Sequence, residues 1–327
     1  MMFAGLDCLR SMRARKGDVH LDSTQFLRQL ILRVAGSPSV SRFVHRHDRT
    51  LGARRFFAGP SLEDAIRTIR QLNAAGIVAT LDHLGESVTG AEEAKVQADA
   101  YVDVLHAIAE AKVDANVSIK LTQMGLDVGR EECLANMRRI VDAAKESGNF
   151  IRIDMEDSHH VDATLDVLFA LRRDYERIGT VLQSYLYRTK SDLERLIAAG
   201  VPVRIVKGAY LEPESVAFPQ KADVDRNYLE LVDTCLKLGH PVAIATHDEA
   251  IIREIEAQTR ERQIPRDRFE FQMLYGIRSA RQRQLAAAGY KVRCYVPYGT
   301  DWYAYFMRRL AERPANLGFV LRSLWRQ

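Results

Sequence analysis

The sequence has little cysteine, and no cysteine pattern in it fits a metal site or a disulfide framework. Its four cysteines lie far apart in a chain of 327 residues, at Cys8, Cys133, Cys235 and Cys294. The adjacent histidines His159-His160 match no common set of zinc ligands. We therefore expect no bound metal, and the cysteine usage indicates a reducing compartment.

Long apolar runs are also missing. No apolar stretch approaches the roughly 20 residues that a membrane-spanning helix needs. The N-terminal segment carries Arg10, Arg13, Arg15 and Lys16 but lacks the apolar core of a secretory signal. It fits either a short amphipathic targeting segment or a plain N-terminal helix, and the acidic Asp7 favours the plain helix.

Signature motifs of several large enzyme classes are absent. No G-x-G-x-x-G follows a predicted strand, and there is neither a phosphate loop nor a G-x-S-x-G nucleophile elbow. The 47 Lys and Arg are interspersed with 43 Asp and Glu, so no charge run suggests a nucleic-acid surface. The net charge of +4 fits an acidic substrate, a phosphate-bearing cofactor or an anionic membrane, without selecting among them.

A regular alternation dominates what the sequence does contain. Eight short β-rich runs begin at Gly76, Asn116, Phe150, Thr180, Pro202, Pro241, Phe269 and Val292. Amphipathic segments at 91–113, 131–147 and 222–238 lie between such runs and are predicted to be helices. Strands that alternate with helices imply a parallel sheet. An open doubly wound sheet and a closed (β/α)8 barrel both fit this order, and eight units without a second-domain break favour the barrel.

A domain boundary is predicted shortly before the first strand. Residues 1–60 contain apolar positions at helical spacing, such as Phe26 and Leu30, and we expect a helical arm there. Gly59-Pro60 then precedes Ser61, which has acidic residues in the following turn and is typical of a helix start. The predicted domains are a helical arm at 1–60 and a catalytic barrel at 61–327.

Polar or aromatic residues follow all eight predicted strands, where the carboxyl ends of barrel strands place catalytic side chains. Any one of them is more often an ordinary loop residue, but together they indicate a functional surface. They include Asp82-His83, Lys120, Asp154, Gln183, Lys207, Thr246-His247, Gln272 and Tyr295.

The fifth strand carries two cations, Arg204 and Lys207, followed by the small residues Gly208 and Ala209. Cations beside small residues suit a flat anionic partner that approaches the backbone. An ion-pair layer that closes the barrel is the alternative interpretation.

The last predicted helix carries a polar stripe at Tyr305, Arg308, Arg309 and Glu312. These residues follow the i, i+3, i+4, i+7 pattern and so share one helix face. Two adjacent guanidinium groups can bind a carboxylate with bidentate geometry. A solvated, arginine-rich surface helix remains the alternative.

Four motifs resemble the proline dehydrogenase family: VRIVKGAY at 203–210, ATHD at 245–248, FEFQMLYG at 269–276 and YFMRRLAE at 305–312. The likeness runs in uninterrupted order from Ala65 to Phe319, and the length is similar to the monofunctional bacterial form. The resemblance implies a TIM-type (β/α)8 barrel with N-terminal helices and a final helix that caps the top of the barrel. It also implies FAD-dependent oxidation of L-proline to 1-pyrroline-5-carboxylate, the first step of proline catabolism.

The resemblance assigns site residues position by position. The FAD-contacting set would be Asp154, Gln183, Arg204, Val206, Lys207, Gly208, Ala209, Thr246, His247, Gln272, Leu274, Arg309 and Glu312. The substrate-binding set would be Lys120, Leu274, Tyr295, Tyr305, Arg308 and Arg309, with Glu86 paired to Arg308 as a gate. Arg204, Lys120 and Tyr210 would be the catalytic residues, with Tyr210 also packing on the proline ring.

The family mechanism implies further partners. Proline C5 would deliver a hydride to flavin N5, and Arg204 would stabilise the anionic charge on the reduced ring. Electrons would pass to a membrane quinone, so a cytoplasmic protein with peripheral contact to the inner membrane is expected. Product would pass to a separate pyrroline-5-carboxylate dehydrogenase, and no nucleic acid is involved.

Two other functions remain open from the residues alone. A flavin-free aldolase could use Lys120 or Lys207 as a Schiff-base lysine. A barrel retained as a binding or regulatory scaffold would show no turnover.

Overall fold

The computed structural model describes residues 52–85 and 87–312, together with Ser37, Val40, Arg42, Val44 and Arg46. The helical spacing predicted around Phe26 and Leu30 lies outside these residues. The chain divides into two compact units, one at 53–302 and one that combines 1–52 with 303–327.

Eight parallel strands in the first unit form a closed barrel in sequence order, which confirms the predicted barrel over the open sheet. The strands are β1 (Val78–His83), β2 (Ala115–Ile119), β3 (Ile151–Ile153), β4 (Ile178–Gln183), β5 (Val203–Val206), β6 (Val242–Ala245), β7 (Phe269–Leu274) and β8 (Val292–Tyr298). Closure is made by β1, which pairs with β2 on one side and with β8 on the other.

Helices alternate with these strands, as predicted. They are α1 (Leu62–Ala74), α2 (Ala91–Ala111), α3 (Arg130–Ser147), α4 (Val161–Arg172), α5 (Thr189–Ala198), α6 (Lys221–Lys237), α7 (Glu249–Glu261), α8 (Ser279–Ala287) and α9 (Trp302–Glu312). The helix start predicted at Ser61 is confirmed, because its hydroxyl accepts a hydrogen bond from the backbone N–H of Asp64 at 3.2 Å. No helix in the described part of the chain is both long enough and apolar enough to cross a membrane.

The two faces of the barrel strands differ in polarity. Successive side chains of a strand point to opposite faces of the sheet. One alternate set is apolar and belongs to the main hydrophobic core, for example Val117 and Ile119 of β2 and Val203 and Ile205 of β5. The other set is rich in buried polar residues: Thr80, Asp82, Asn116, Ser118, Arg152, Gln183, Arg204, Gln272 and Arg293. The barrel interior is therefore a hydrogen-bonded polar core, and the apolar layer lies between the strands and the helices.

The three cysteines in the described residues are buried in this first unit. Cys133, Cys235 and Cys294 are free thiols. Burial raises the pKa of each of the three thiols to about 12, so they are protonated near neutral pH. They pack as small apolar side chains and are not poised as nucleophiles.

Candidate active site

A cluster of four charged side chains lies inside the barrel, three of them from the carboxyl ends of β1, β2 and β3 and one, Arg204, from within β5. The ammonium nitrogen of Lys120 lies 3.0 Å from Oδ1 of Asp82 and 3.4 Å from Oδ2 of Asp154. On the other side of Asp154, Arg204 donates from Nη1 to Oδ1 at 2.8 Å. With two cations and two carboxylates, the cluster is electrically balanced, which is what allows charges to be buried inside a barrel.

Hydroxyl groups complete the hydrogen bonding of the two carboxylates. Asp154 accepts from the hydroxyl of Ser118 at 2.6 Å and from that of Tyr295 at 3.1 Å. Tyr101, which is fully buried on α2, lies 3.4 Å from Asp82 and donates to the backbone carbonyl of Ser118 at 2.9 Å. Asp154 thus accepts from two hydroxyls as well as from two cations, and its position is fixed from several strands at once.

The charges in the cluster shift one another's pKa values. Burial opposes ionisation of Asp154, but Lys120 and Arg204 outweigh it, so the pKa of Asp154 lies below its usual value. Burial opposes the charge on Lys120 as well, and the two carboxylates outweigh it and raise the pKa of the ammonium group well above normal. Lys120 is therefore a fixed cation near neutral pH rather than a neutral amine.

Part of the Arg204 guanidinium group makes no hydrogen bond within the described residues. The residue is only 4 % exposed, and its guanidinium carbon lies 5.5 Å from the centre of the Tyr295 ring. While Nη1 bonds to Asp154 and Ser118, the buried Nε and Nη2 have no hydrogen-bond partner within the described residues. Buried donors without acceptors are unfavourable, so this edge of the guanidinium is suited to a ligand that carries acceptor atoms.

A second ion-paired group follows β5 and β6. Lys207 lies 2.5 Å from Asp225 and 2.9 Å from Asp248. The hydrogen bond from Lys207 holds the pKa of the Asp248 carboxyl down at about 2. The backbone N–H of Asp248 donates to the hydroxyl of Thr246 at 3.0 Å, and the side chain of Asp248 caps α7. Lys207 is therefore tied to the carboxylate of Asp248, and Thr246 to the backbone N–H of the same residue.

The loop after β5 depends on a glycine. Gly208 has φ of +113°, a conformation that residues with a side chain rarely adopt. A Cβ at this position would lie 2.3 Å from Cδ1 of the buried Tyr185 ring. The backbone can therefore pass close to Tyr185 at this point only without a side chain.

The remaining predicted barrel residues lie near the carboxyl ends of their strands. Gln183 donates to the backbone carbonyl of Glu156 at 2.7 Å. Nε2 of His247 accepts from the backbone N–H of Leu274 at 2.9 Å and links the ends of β6 and β7. Gln272, by contrast, donates to Glu270 on the same strand, towards the other end of the barrel. Tyr210 is 39 % exposed in the loop after β5.

The polar stripe predicted on the last helix is confirmed in part. The guanidinium of Arg309 lies 5.1 Å from the centre of the Tyr305 ring, so these two residues share a face of α9. Arg308 is exposed. Glu312 is the last residue of the helix, and Glu86 lies outside the described residues. The gate pair between Glu86 and Arg308, and the cap that this helix would form, stay predictions.

Sequence patterns do not identify three residues as site residues: Asp82 of the cluster, and Ser118 and Tyr101, which hydrogen-bond beside it. Asp82 was noted at a strand end, but no role was assigned to it. Ser118 stands two positions before Lys120, so strand periodicity alone places both on the same face and could have identified it. Tyr101 gave no usable signal, because an aromatic residue on an amphipathic helix is usually part of an ordinary core.

Comparison with known proteins identifies relatives. The family model described as "Proline dehydrogenase" matches residues 65–322. Proline dehydrogenase 1 of Bacillus subtilis subsp. natto is 43% identical over 298 residues, which is 91% of this chain and 99% of that protein. A proline dehydrogenase of Deinococcus radiodurans is 46% identical over 305 residues, 92% of this chain and 98% of that protein.

A solved structure shares the fold. Proline utilization A from Bdellovibrio bacteriovorus, inactivated by N-propargylglycine, superposes with a TM-score of 0.76 at 23% identity. The match covers 88% of this chain and 37% of that protein, so this chain spans little more than a third of its length. This likeness supports the barrel fold.

Replacing Asp154 with Asn should destabilise the protein in a pH-dependent way. At pH 7 the loss should be about 3 kcal/mol or more, because Lys120 and Arg204 would stay buried without their shared carboxylate. Since the folded-state pKa of Asp154 is lowered, its stabilising effect is present above the unfolded value of about 3.9 and is lost as the pH falls below it. Urea unfolding at pH 7 and pH 3 measures the difference between wild type and variant.

The matched control for this prediction is Asp142→Asn, which breaks an exposed pair with Lys145. It should change the free energy of unfolding by no more than about 1 kcal/mol at either pH. A gap between wild type and Asp154→Asn that stays constant from pH 7 to pH 3 would contradict an ionised Asp154.

Replacing Tyr101 with Phe should impair turnover as well as stability. The change removes one buried hydroxyl and costs about 1 kcal/mol of unfolding free energy, and it also removes a polar contact, 3.4 Å long, to Oδ1 of Asp82, the oxygen that accepts from Lys120. Tyr228→Phe is the control, since that fully buried hydroxyl on α6 bonds to backbone groups and donates to the carbonyl of Ile205. Equal kinetic effects of the two variants would refute a positioning role for Tyr101.

Proposed function

Because the chain belongs to the proline dehydrogenase family, we propose that it oxidises L-proline to 1-pyrroline-5-carboxylate with FAD as cofactor. This reaction is the first step of proline catabolism. The observation that carries the proposal is the buried cluster of Lys120, Asp154 and Arg204, in which Arg204 keeps two nitrogens available to a ligand. Such a cluster is balanced in charge, but it presents N–H donors in fixed positions to the oxygen atoms of an anionic substrate and to an electron-rich ring.

The residues present fit a flavin. The unpartnered Nε and Nη2 of Arg204 match the need of an isoalloxazine ring for donors to its carbonyl and ring nitrogen atoms. Gly208 keeps a side chain out of the loop in which the backbone would approach the cofactor. The proposed FAD-contacting residues are Asp154, Gln183, Arg204, Val206, Lys207, Gly208, Ala209, Thr246, His247, Gln272, Leu274, Arg309 and Glu312.

When bound, FAD supplies the acceptor, at flavin N5, for the hydride that leaves C5 of proline. The chain's own residues bind and orient the substrate. We assign the proline carboxylate to Lys120, Arg308 and Arg309, and the apolar ring to Leu274, Tyr210, Tyr295 and Tyr305. Aromatic surfaces against a five-membered ring favour an unsubstituted proline. The proposal also includes the gate formed by Glu86 and Arg308.

The protonation state of Lys120 decides whether this lysine could serve the alternative aldolase function. A Schiff-base lysine must be a neutral nucleophile, and enzymes achieve this by lowering its pKa. Here Asp82 and Asp154 raise the pKa of Lys120 and hold the group as a cation. Lys207 is similarly bound to two carboxylates. Lys120 is therefore poorly suited to attack on a carbonyl, and Lys207 is engaged in two ion pairs.

The electrons taken from proline must leave the protein. We propose that a membrane quinone accepts them during peripheral contact with the cytoplasmic face of the inner membrane. The product would then pass to a separate pyrroline-5-carboxylate dehydrogenase. Both partners follow from the family relationship.

An anaerobic absorption spectrum tests cofactor and substrate together. The purified protein should show flavin bands, and adding L-proline should bleach them, because two electrons move from substrate to cofactor. D-Proline serves as the stereochemical control. A colourless protein would refute FAD, and bands that persist with L-proline would favour the binding-scaffold alternative.

Replacing Arg309 with Met should raise KM for proline about 10- to 100-fold, because a charge-assisted hydrogen bond to the carboxylate is lost. Steady-state kinetics with a dye acceptor measures KM, and the flavin-to-protein absorbance ratio reports cofactor retention. Arg253→Met is the matched control, since Arg253 lies on the exposed face of α7 and pairs with Glu249. An unchanged KM in the Arg309 variant would refute its role in substrate binding.

A further inference from the structure

A cavity of about 390 Å³ opens at the amino-terminal end of the barrel, away from the candidate active site. It is lined by residues at the starts of strands β2 to β8, among them Asn116, Arg152, Val203, Val242 and Phe269. Catalytic sites of such barrels lie at the opposite end. The proposed enzymatic function therefore leaves this cavity unexplained.

Arg152 is the unusual group in the lining. It is 5 % exposed, and Nη1 donates to the backbone carbonyls of Thr180 and Pro202 at 2.9 and 2.8 Å. Its Nε is buried without a hydrogen-bond partner, and no carboxylate in the described part of the chain lies within ion-pair distance of it. A buried arginine without a counter-ion is strongly unfavourable in a protein interior.

A glycine on the neighbouring strand leaves space for this guanidinium group. Gly179 faces Arg152 across the β3–β4 pair. A Cβ on Gly179 would lie 2.7 Å from Nη1 of Arg152 and 2.3 Å from the carbonyl oxygen of Pro202. Phe150 packs on the guanidinium, with 4.7 Å from its ring centre to the guanidinium carbon. Arg152 is thus held in one defined position rather than left free to reach solvent.

The carboxylate of Glu270, which also lines the cavity, is already paired with other cations. Arg293 makes a bidentate pair with Glu270 at 2.8 and 3.2 Å, and Lys291 lies 3.3 Å from it. Burial opposes its charge, but Arg293 and Lys291 bring the pKa of Glu270 down to about 2. For Arg152, burial and repulsion from Arg204 lower the pKa to about 9. The cavity lining as a whole has five cationic side chains, Arg152, Arg177, Arg268, Lys291 and Arg293, against the three carboxylates Asp114, Asp267 and Glu270, so positive charge is in excess there.

Water alone would not resolve this imbalance. Ordered water in the cavity could donate to the unpartnered Oδ1 atoms of Asn116 and Asn149 and accept from Arg152. It would leave the charge of the buried guanidinium uncompensated. An anion that carries several oxygens, and protons of its own, would satisfy both the guanidinium and the two amide oxygens.

We propose that this cavity binds a small tetrahedral oxyanion, of which inorganic phosphate is the type. Arg152 is the principal ligand, and Arg177, Arg268 and Lys291 in the cavity lining add positive charge around the opening. Because an anion bound only by the folded barrel shifts the unfolding equilibrium, the site acts as a ligand-dependent stabiliser of the barrel. It is independent of FAD and of proline oxidation.

Thermal unfolding of the holoenzyme tests the proposal. The protein, with excess FAD to occupy the cofactor site, is titrated with sodium phosphate at pH 7, and NaCl of matched ionic strength serves as the reference. The midpoint temperature should rise and then saturate in phosphate, with a smaller, non-saturating change in NaCl. Sulfate, a tetrahedral oxyanion without a proton at pH 7, should also give a saturating rise, but at a higher concentration, because it cannot donate to the amide oxygens of Asn116 and Asn149.

Arg152→Gln should abolish the saturating component, while Arg253→Gln, on the exposed face of α7, should keep it. If Arg152→Gln does not fold, Arg177→Gln and Lys291→Gln should each raise the half-saturating phosphate concentration several-fold, because both remove charge from the cavity opening. A phosphate effect that does not saturate, that NaCl reproduces, or that all these variants share with the wild type would overturn the proposal.

Discussion

The barrel interior is organised around one carboxylate. Asp154 receives Lys120 and Arg204 from two directions and accepts from the hydroxyls of Ser118 and Tyr295. Burial of each of these charges is unfavourable alone, and the group is stable because every member compensates another. The same arrangement holds Lys120 as a permanent cation and leaves part of Arg204 available for a ligand, so the stability and the chemistry of the site have a common origin.

This polar interior is possible because the apolar core lies elsewhere. The outward strand residues and the inner faces of the helices form one continuous hydrophobic layer around the barrel. That layer supplies the burial of apolar surface that favours folding. The strands can then carry charges inward at two levels, a balanced cluster at the carboxyl ends and an excess of positive charge around Arg152 at the amino ends. We infer that ligands match each level, a cofactor and substrate at one end and an oxyanion at the other.

Sequence patterns were sufficient to predict the strands and helices, but not all of the side-chain contacts in the candidate site. The eight strands and the capped start of α1 followed from alternation and from Ser61, because these signals are local in sequence. Lys120 and Arg204 were also identified, since each belongs to a strand whose end is polar. The link from Tyr101 to Asp82 was not, because it joins a helix to a strand and leaves no spacing signal. Arg152 was not identified either, because nothing in the sequence pattern distinguishes a buried arginine on a strand from one exposed to solvent.

The sequence by itself determined the eightfold strand and helix order, the helix cap and the family motifs. These depend on side-chain period, on local backbone preference and on residue identity, all of which are written along the chain. Only the tertiary structure decided which carboxylate neutralises which cation. Barrel closure brings β8 beside β1, and the interior it creates brings Tyr295 to Lys120 across 175 positions of sequence. The charge balance of a buried site is a property of that three-dimensional neighbourhood, because electrostatic energy depends on distance and burial rather than on position in the chain.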